Sequence, residues 1–278
     1  MKKLLLITVM LLLLVVGGIG AYYFMAPDLN AAVQVSQDKP SAKDPAKQPE
    51  IGVMKPVETT ADMLEQLSYE RTQNPDTIGW LKIPNTEINN TVLQSYNNVY
   101  YLRLSERKEQ DVFGCYFADY TCSFGTREEL SPNTIIYGHS DLKDNPDGRR
   151  FSQLLRFTQE EFAKNNPYIY FSTMQDQMVW QIFAVFYTDT DMNYIKSDLN
   201  EQELTGLVEE AKRKSIYHYD VPVDSKDKLL SLSTCTVKYG DRKDQRFVVM
   251  AKLMPADYVQ VDTASLTVNP NPEQPSFN

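Results

Sequence analysis

Histidine is nearly missing from this chain of 278 residues: there are two, His139 and His218. Cysteine is scarce too, at three, which limits the chain to one disulfide and excludes a fold that depends on cross-links. Basic residues are in deficit, 28 Lys and Arg against 37 Asp and Glu, and a formal charge of -9 excludes nucleic acid as a partner for the whole surface. Internal repeats are lacking, so a repeat architecture is excluded.

What is present falls into four stretches. Residues 4–21 are almost wholly apolar, broken only by Thr8 and by the small Gly17, Gly18 and Gly20. A helix of that length, at ~1.5 Å rise per residue, approaches a ~30 Å hydrocarbon core. Lys2 and Lys3 precede it and Tyr22-Tyr23-Phe24 follow, so residues 1–26 are expected to form a single-pass anchor with a cytoplasmic N-terminus. The other reading is a cleaved signal peptide, but the aromatic trio and Pro27 interrupt a small-residue cleavage site. Residues 27–57 carry four prolines between 31 and 57 and scattered charge, the composition of a disordered tether. Residues 58–258 form one globular domain, large enough to be stable through its core. Residues 259–278, with Asn269-Pro270-Asn271-Pro272 and Pro275, are expected to be a disordered tail.

Within the domain, Met63, Leu64 and Leu67 share one face of a helix over Thr59 to Arg71. Strand-like runs follow at Gly79 to Ile83, Glu87 to Leu93, Val112 to Ala118, Asn133 to Tyr137, Tyr168 to Phe171, Met178 to Tyr187 and Lys228 to Thr234. Thr158 and Glu161 have the spacing of a capping box. Leu204, Leu207, Val208 and Ala211 recur at helical spacing in Asn200 to Lys214, a helix inserted before the last of these strands. Strands dominate. The fold class is mainly β with peripheral helices, a closed or nearly closed barrel.

The chemistry sits at strand ends. Leu232-Ser233-Thr234-Cys235 closes one strand, and eleven residues later Arg246 opens the next, Phe247 to Ala251. Far upstream, Tyr137-Gly138-His139 closes the apolar run Thr134 to Ile136, the glycine letting the backbone turn. A thiolate attacks an amide carbonyl when a partner handles its proton, and a guanidinium steadies the resulting oxyanion without titrating. Arg242 and Lys243 compete with Arg246 for that role but lie in the polar loop Gly240 to Asp244, where solvated charge is the default. His218, in a connector, reads as a surface residue or a satisfied core residue. Cys115 and Cys122 read either as a disulfide or as two unpaired core thiols.

This set resembles the sortases, the membrane-anchored cysteine transpeptidases of Gram-positive bacteria, over about Thr59 to Met254. The helix at Thr59 and the one inserted at Asn200 resemble class B. The resemblance implies an eight-stranded sortase-type β-barrel. It also implies catalysis by Cys235, His139 and Arg246, and no metal or cofactor. Substrate-binding positions carried over by local match are Asn98 and Leu102 on one wall, Thr190, Tyr194 and Ile195 on the floor, and Ser233 beside the nucleophile. The implied partners are secreted proteins with an Asn-Pro-X-Thr type sorting signal, and a peptidoglycan cross-bridge or protein amine as acceptor. The implied location is the cell membrane, with the catalytic domain outside. Two positions depart from the pattern: Ser140 follows the histidine where class B often has Asn, and Val237 stands where some members carry an acid. Other readings are a cysteine endopeptidase that hydrolyses its acyl-enzyme, a pilus-polymerising sortase, and an inactive surface adaptor.

Overall fold

The computed structural model describes residues 60–277. The expected anchor at 1–26 and the tether at 27–57 lie outside them. Among the described residues no helix is long and apolar enough to cross a membrane.

Eight strands close into a barrel in the order β1-β2-β3-β4-β8-β9-β6-β5. They are β1 (Thr77–Lys82), β2 (Asn89–Leu93), β3 (Tyr116–Ala118), β4 (Asn133–Tyr137), β5 (Tyr168–Ser172), β6 (Val179–Asp189), β8 (Leu229–Cys235) and β9 (Gln245–Leu253). Two neighbouring pairs, β2–β3 and β4–β8, run parallel, and the others are antiparallel. Closure satisfies every edge of the sheet, so the barrel has no unpaired strand to protect. Leu229–Thr234 of β8 and Phe247–Ala251 of β9 are buried throughout, on both faces. One face fills the barrel and the other is covered by helical segments. Trp80, Trp180, Phe171, Phe183, Phe186 and Phe247 are among the largest fully buried side chains. Each contributes roughly 1.5–3 kcal/mol by leaving water.

Among the described residues three α-helices decorate the barrel: α1 (Thr60–Gln73), α2 (Glu160–Asn165) and α3 (Glu201–Lys214). Helix α1 packs Met63 and Leu67 against Trp80. Helix α3 buries Leu204, Leu207, Val208 and Ala211, the stripe its sequence predicts. Its start is fixed by a capping box: the Glu203 amide donates to the Asn200 side chain (3.0 Å), and the Asn200 amide donates to the Glu203 carboxylate (3.0 Å).

Several expectations require correction. Thr158 and Glu161 form no capping box. Arg150–Thr158 winds as a 3-10 helix, and the Thr158 hydroxyl donates back to the Leu155 carbonyl at 2.7 Å. Gln159 is the N-cap of α2 and makes no side-chain cap bond. Strand β3 starts only at Tyr116, because Asp111 organises a turn through the Phe113 and Gly114 amides, with Gly114 at φ 55°. Of the two readings of Cys115 and Cys122, the unpaired core thiols hold: both are free and buried.

The segment expected to be a disordered tail is instead built onto the domain. Strand β10 (Leu266–Val268) pairs antiparallel with β7 (Tyr217–Tyr219), whose middle residue His218 is exposed. Beyond it, the Asn269 amide donates to the Ser215 carbonyl at 2.8 Å, and Glu273 pairs with Arg213 at 2.9 Å. The Tyr239 hydroxyl donates to Gln274 (2.8 Å), and Phe277 lies under the Arg242 guanidinium, 4.0 Å from ring centroid to Cζ. Composition counts prolines but not partners. Here a sheet edge, a helix C-terminus and the β8–β9 loop each provide one.

Candidate active site

The site follows from three adjacent strands. In the parallel β4–β8 pair Tyr137 is opposite Ser233, and in the antiparallel β8–β9 pair Cys235 is opposite Arg246. Continuing the first register by two residues brings His139 level with Cys235. Opposed residues in a sheet project to the same side and alternate along each strand. Tyr137, His139, Ser233, Cys235 and Arg246 therefore emerge together, and all five line one cleft at this end of the barrel.

Backbone tethers hold the two strand ends in register beyond the ladder. The Gly138 amide donates to the Ser233 carbonyl (3.3 Å), the Thr234 hydroxyl to the Gly138 carbonyl (2.7 Å) and the Ser140 hydroxyl to the Cys235 carbonyl (2.5 Å). Gly138 is required by close approach rather than by a turn. A Cβ there would stand 2.7 Å from the Phe151 ring and 3.0 Å from that of Tyr116.

His139 is half-buried, and Nε2 donates to the Leu102 carbonyl at 2.8 Å. That bond assigns the neutral ring's hydrogen to Nε2 and leaves Nδ1 as the basic nitrogen. Burial lowers the pKa of His139 below its ordinary 6.5, against the opposing pull of the Leu102 bond. Cys235 is exposed, whereas burial raises the thiol of Cys122 to about 12 and drives that of Cys115 higher still. One thiol of the three is accessible, and it lines the same cleft as His139.

Arg246 Nη1 donates to the carbonyls of Lys243 and Gln245, both at 2.8 Å. Among the described residues Nε and Nη2 take no protein acceptor, so part of the fork is available to a developing negative charge. Arg242, the competing guanidinium, is bidentate to Asp244 at 2.9 and 2.6 Å.

All six sequence-derived binding positions line the same cleft: Asn98, Leu102, Thr190, Tyr194, Ile195 and Ser233. Tyr194 is buried and its hydroxyl bonds the Ser233 hydroxyl at 2.9 Å. Its turn is held by Asn133, whose amide donates to the carbonyls of Tyr194 (2.7 Å) and Lys196 (3.0 Å). Ile195 is 44% exposed, an apolar surface offered to a ligand. Asn98 donates to Asp119 (2.7 Å) and accepts from the Tyr120 amide (3.0 Å), so it both lines and braces its wall. Sequence reasoning missed Phe117 as a lining residue and Asp119 as the acid that ties Asn98 to the Tyr137 hydroxyl (2.8 Å). Among the described residues no cluster of His, Cys, Asp or Glu could hold a metal ion.

Residues 81–254 match the Sortase domain family model. The chain is 34% identical over 194 residues to Sortase B of Listeria monocytogenes, covering 69% of this chain and 76% of that one. It is 34% identical over 182 residues to Sortase B of Staphylococcus aureus, covering 65% and 71%. A Staphylococcus aureus sortase B-substrate complex superposes with a TM-score of 0.61 at 32% identity, covering 70% of this chain and 87% of that chain.

Proposed function

This chain belongs to the sortase family, class B, and from that premise we propose that it is a cysteine transpeptidase acting on the sorting signals of secreted proteins. The observation that supports the reading is the single cleft lined by His139, two residues past β4, and by Cys235 and Arg246, cross-strand partners on β8 and β9. Cys235 Sγ adds to the carbonyl carbon after the signal's threonine, and the thiol proton passes to His139 Nδ1. Arg246 donates to the oxyanion of the tetrahedral adduct. The adduct collapses to a thioester as the peptide C–N bond breaks, and the imidazolium returns the proton to the leaving amine. An acceptor amine then attacks the thioester, losing its proton to His139, and the Cys235 thiol is regenerated.

The signal class is proposed to be Asn-Pro-X-Thr, as in the class B resemblance. The apolar floor of Tyr194 and Ile195 and the polar Asn98 opposite suit a short extended peptide with mixed side chains. The acceptor is proposed to be a peptidoglycan cross-bridge amine. Residues 1–26 are proposed to anchor the enzyme in the cell membrane with the catalytic domain outside. The reaction belongs with the cysteine peptidases, EC 3.4.22.

The test incubates the full-length chain in mild detergent with a panel of quenched sorting peptides, with and without candidate amines, and reads products by mass spectrometry. The expected result is an acyl adduct on Cys235 and a ligated product that grows with amine concentration. Hydrolysis unaffected by any amine identifies an endopeptidase. Ligation only to a pilin lysine identifies a polymerising enzyme. Cleavage that survives Cys235→Ala removes the mechanism altogether.

A further inference from the structure

We infer that Asp144, in the loop after His139, is a positioning residue that holds the nucleophile: its carboxylate clamps the two residues that follow Cys235. The inference rests on the transpeptidase reading for its catalytic consequence. Strand β8 ends at Cys235, so the β ladder stops where the geometry of the thiol must be most closely fixed. What takes over is Asp144. Its Oδ2 accepts from the Thr236 hydroxyl at 2.6 Å, and both oxygens accept from the Val237 amide, at 3.1 and 3.0 Å. Thr236 is buried, at 3% exposure, between the exposed Cys235 and Val237. Its hydroxyl also accepts from the Lys238 amide at 3.2 Å, so the carboxylate and the turn are wired through one atom.

The loop that presents Asp144 is itself braced. Asp141 accepts from the amides of Lys143 and Asn145, each at 3.0 Å, and its own amide donates to the Ser152 hydroxyl at 2.8 Å. Asp144 sits at φ 50°, a left-handed conformation that aspartate tolerates better than most residues. With the Ser140 hydroxyl on the Cys235 carbonyl and the Thr234 hydroxyl on the Gly138 carbonyl, the histidine segment holds the chain on both sides of Cys235. Hydrogen bonds to a carboxylate are short and roughly twice as strong as neutral ones, so this joint resists the small rotations that would swing the thiol away from the imidazole. Val237 contributes no acid of its own to the turn.

The test compares Asp144→Ala with Asp144→Asn in the full-length chain. Asparagine keeps an acceptor for Thr236 and Val237 and discards the charge. Three readouts are taken: kcat and KM for acylation by a sorting peptide, the rate of Cys235 alkylation by iodoacetamide, and the melting temperature. Asp144→Ala is expected to lower kcat roughly 10- to 100-fold, the scale of a misplaced reacting group, with KM within about 2-fold. Alkylation slows about 10-fold as the thiol loses its proton partner. Asp144→Asn recovers both rates to within about 5-fold of wild type. The positioning role is overturned if Asp144→Ala keeps wild-type kcat and alkylation, if Asp144→Asn is as slow as Asp144→Ala, or if the loss is one of KM and melting temperature alone. A wild-type chain that processes no peptide of the panel but still shows the alkylation pattern removes the transpeptidase reading and leaves the clamp standing.

Discussion

Cys235 and Arg246 are direct cross-strand partners at the open end of the β8–β9 pair. The proposed nucleophile and the cation therefore share one rung of a ladder whose next five rungs are buried. A guanidinium fixed in this way approaches the oxyanion without reorganising, which is the condition for a large electrostatic contribution.

Replacing Arg246 by Lys keeps a charge and discards the planar fork. Acylation should slow by about 10²–10³, the usual cost of one oxyanion donor. Arg242→Ala removes a guanidinium already committed to Asp244, and its rate should stay within about 3-fold of wild type, as for other surface ion pairs. Single-turnover acylation of both variants on one peptide decides the matter. A crippled Arg242→Ala beside a normal Arg246→Lys assigns the role to the other arginine.

The three thiols should separate cleanly by reactivity. Cys235 is exposed, while Cys115 and Cys122 are buried with raised pKa values. A thiol-specific reagent in native buffer should label one site, and all three should react in denaturant. Labelling of the Cys235→Ala variant under native conditions would contradict the buried placement of the other two.

His139 makes stability depend on pH in a known direction. Its folded-state pKa lies below the ordinary 6.5, so just below pH 6.5 the unfolded chain binds a proton that the folded chain refuses. Stability must then fall as pH drops from about 6.5 toward the folded pKa, and level off beneath it. Urea denaturation in that window should show a shallower slope for His139→Gln than for wild type. An unchanged slope would show that the ring is no harder to protonate in the fold than out of it.

The segment after β9 should be tested as part of the domain. Asn269 is buried and its amide donates to the Ser215 carbonyl at the end of α3. Asn269→Ala strands that carbonyl and should cost about 1–3 kcal/mol. Thermal unfolding reads the loss directly, and a melting temperature equal to wild type would mean that 266–277 adds nothing to stability.

The three proposed catalytic residues could be picked out in the sequence because each terminates or opens an apolar strand, and a strand's alternation survives in a single sequence. Their proximity could not be found that way. It depends on β4 lying parallel to β8, a pairing between segments roughly a hundred positions apart that no local pattern encodes. Asp119 and Asp144 were hidden for a different reason. An acid in a polar loop reads as solvated charge until the fold supplies its donors. Strands β7 and β10 hold three residues each, too few for alternation to show. At Thr158 the capping spacing was right, but a 3-10 helix had already taken the hydroxyl.

On the proposed mechanism the parallel β4–β8 joint also sets when this chain can become reactive. Thr234 and Gly138, bonded at 2.7 Å, are 96 positions apart. Closing so long a loop costs entropy that is recovered only when neighbouring strands are in place, so such contacts tend to form late. Until they do, the thiol has no proton acceptor beside it and behaves as an ordinary cysteine. On the proposed mechanism a chain still emerging or misfolded lacks the assembled site, and acyl transfer waits on closure of the barrel.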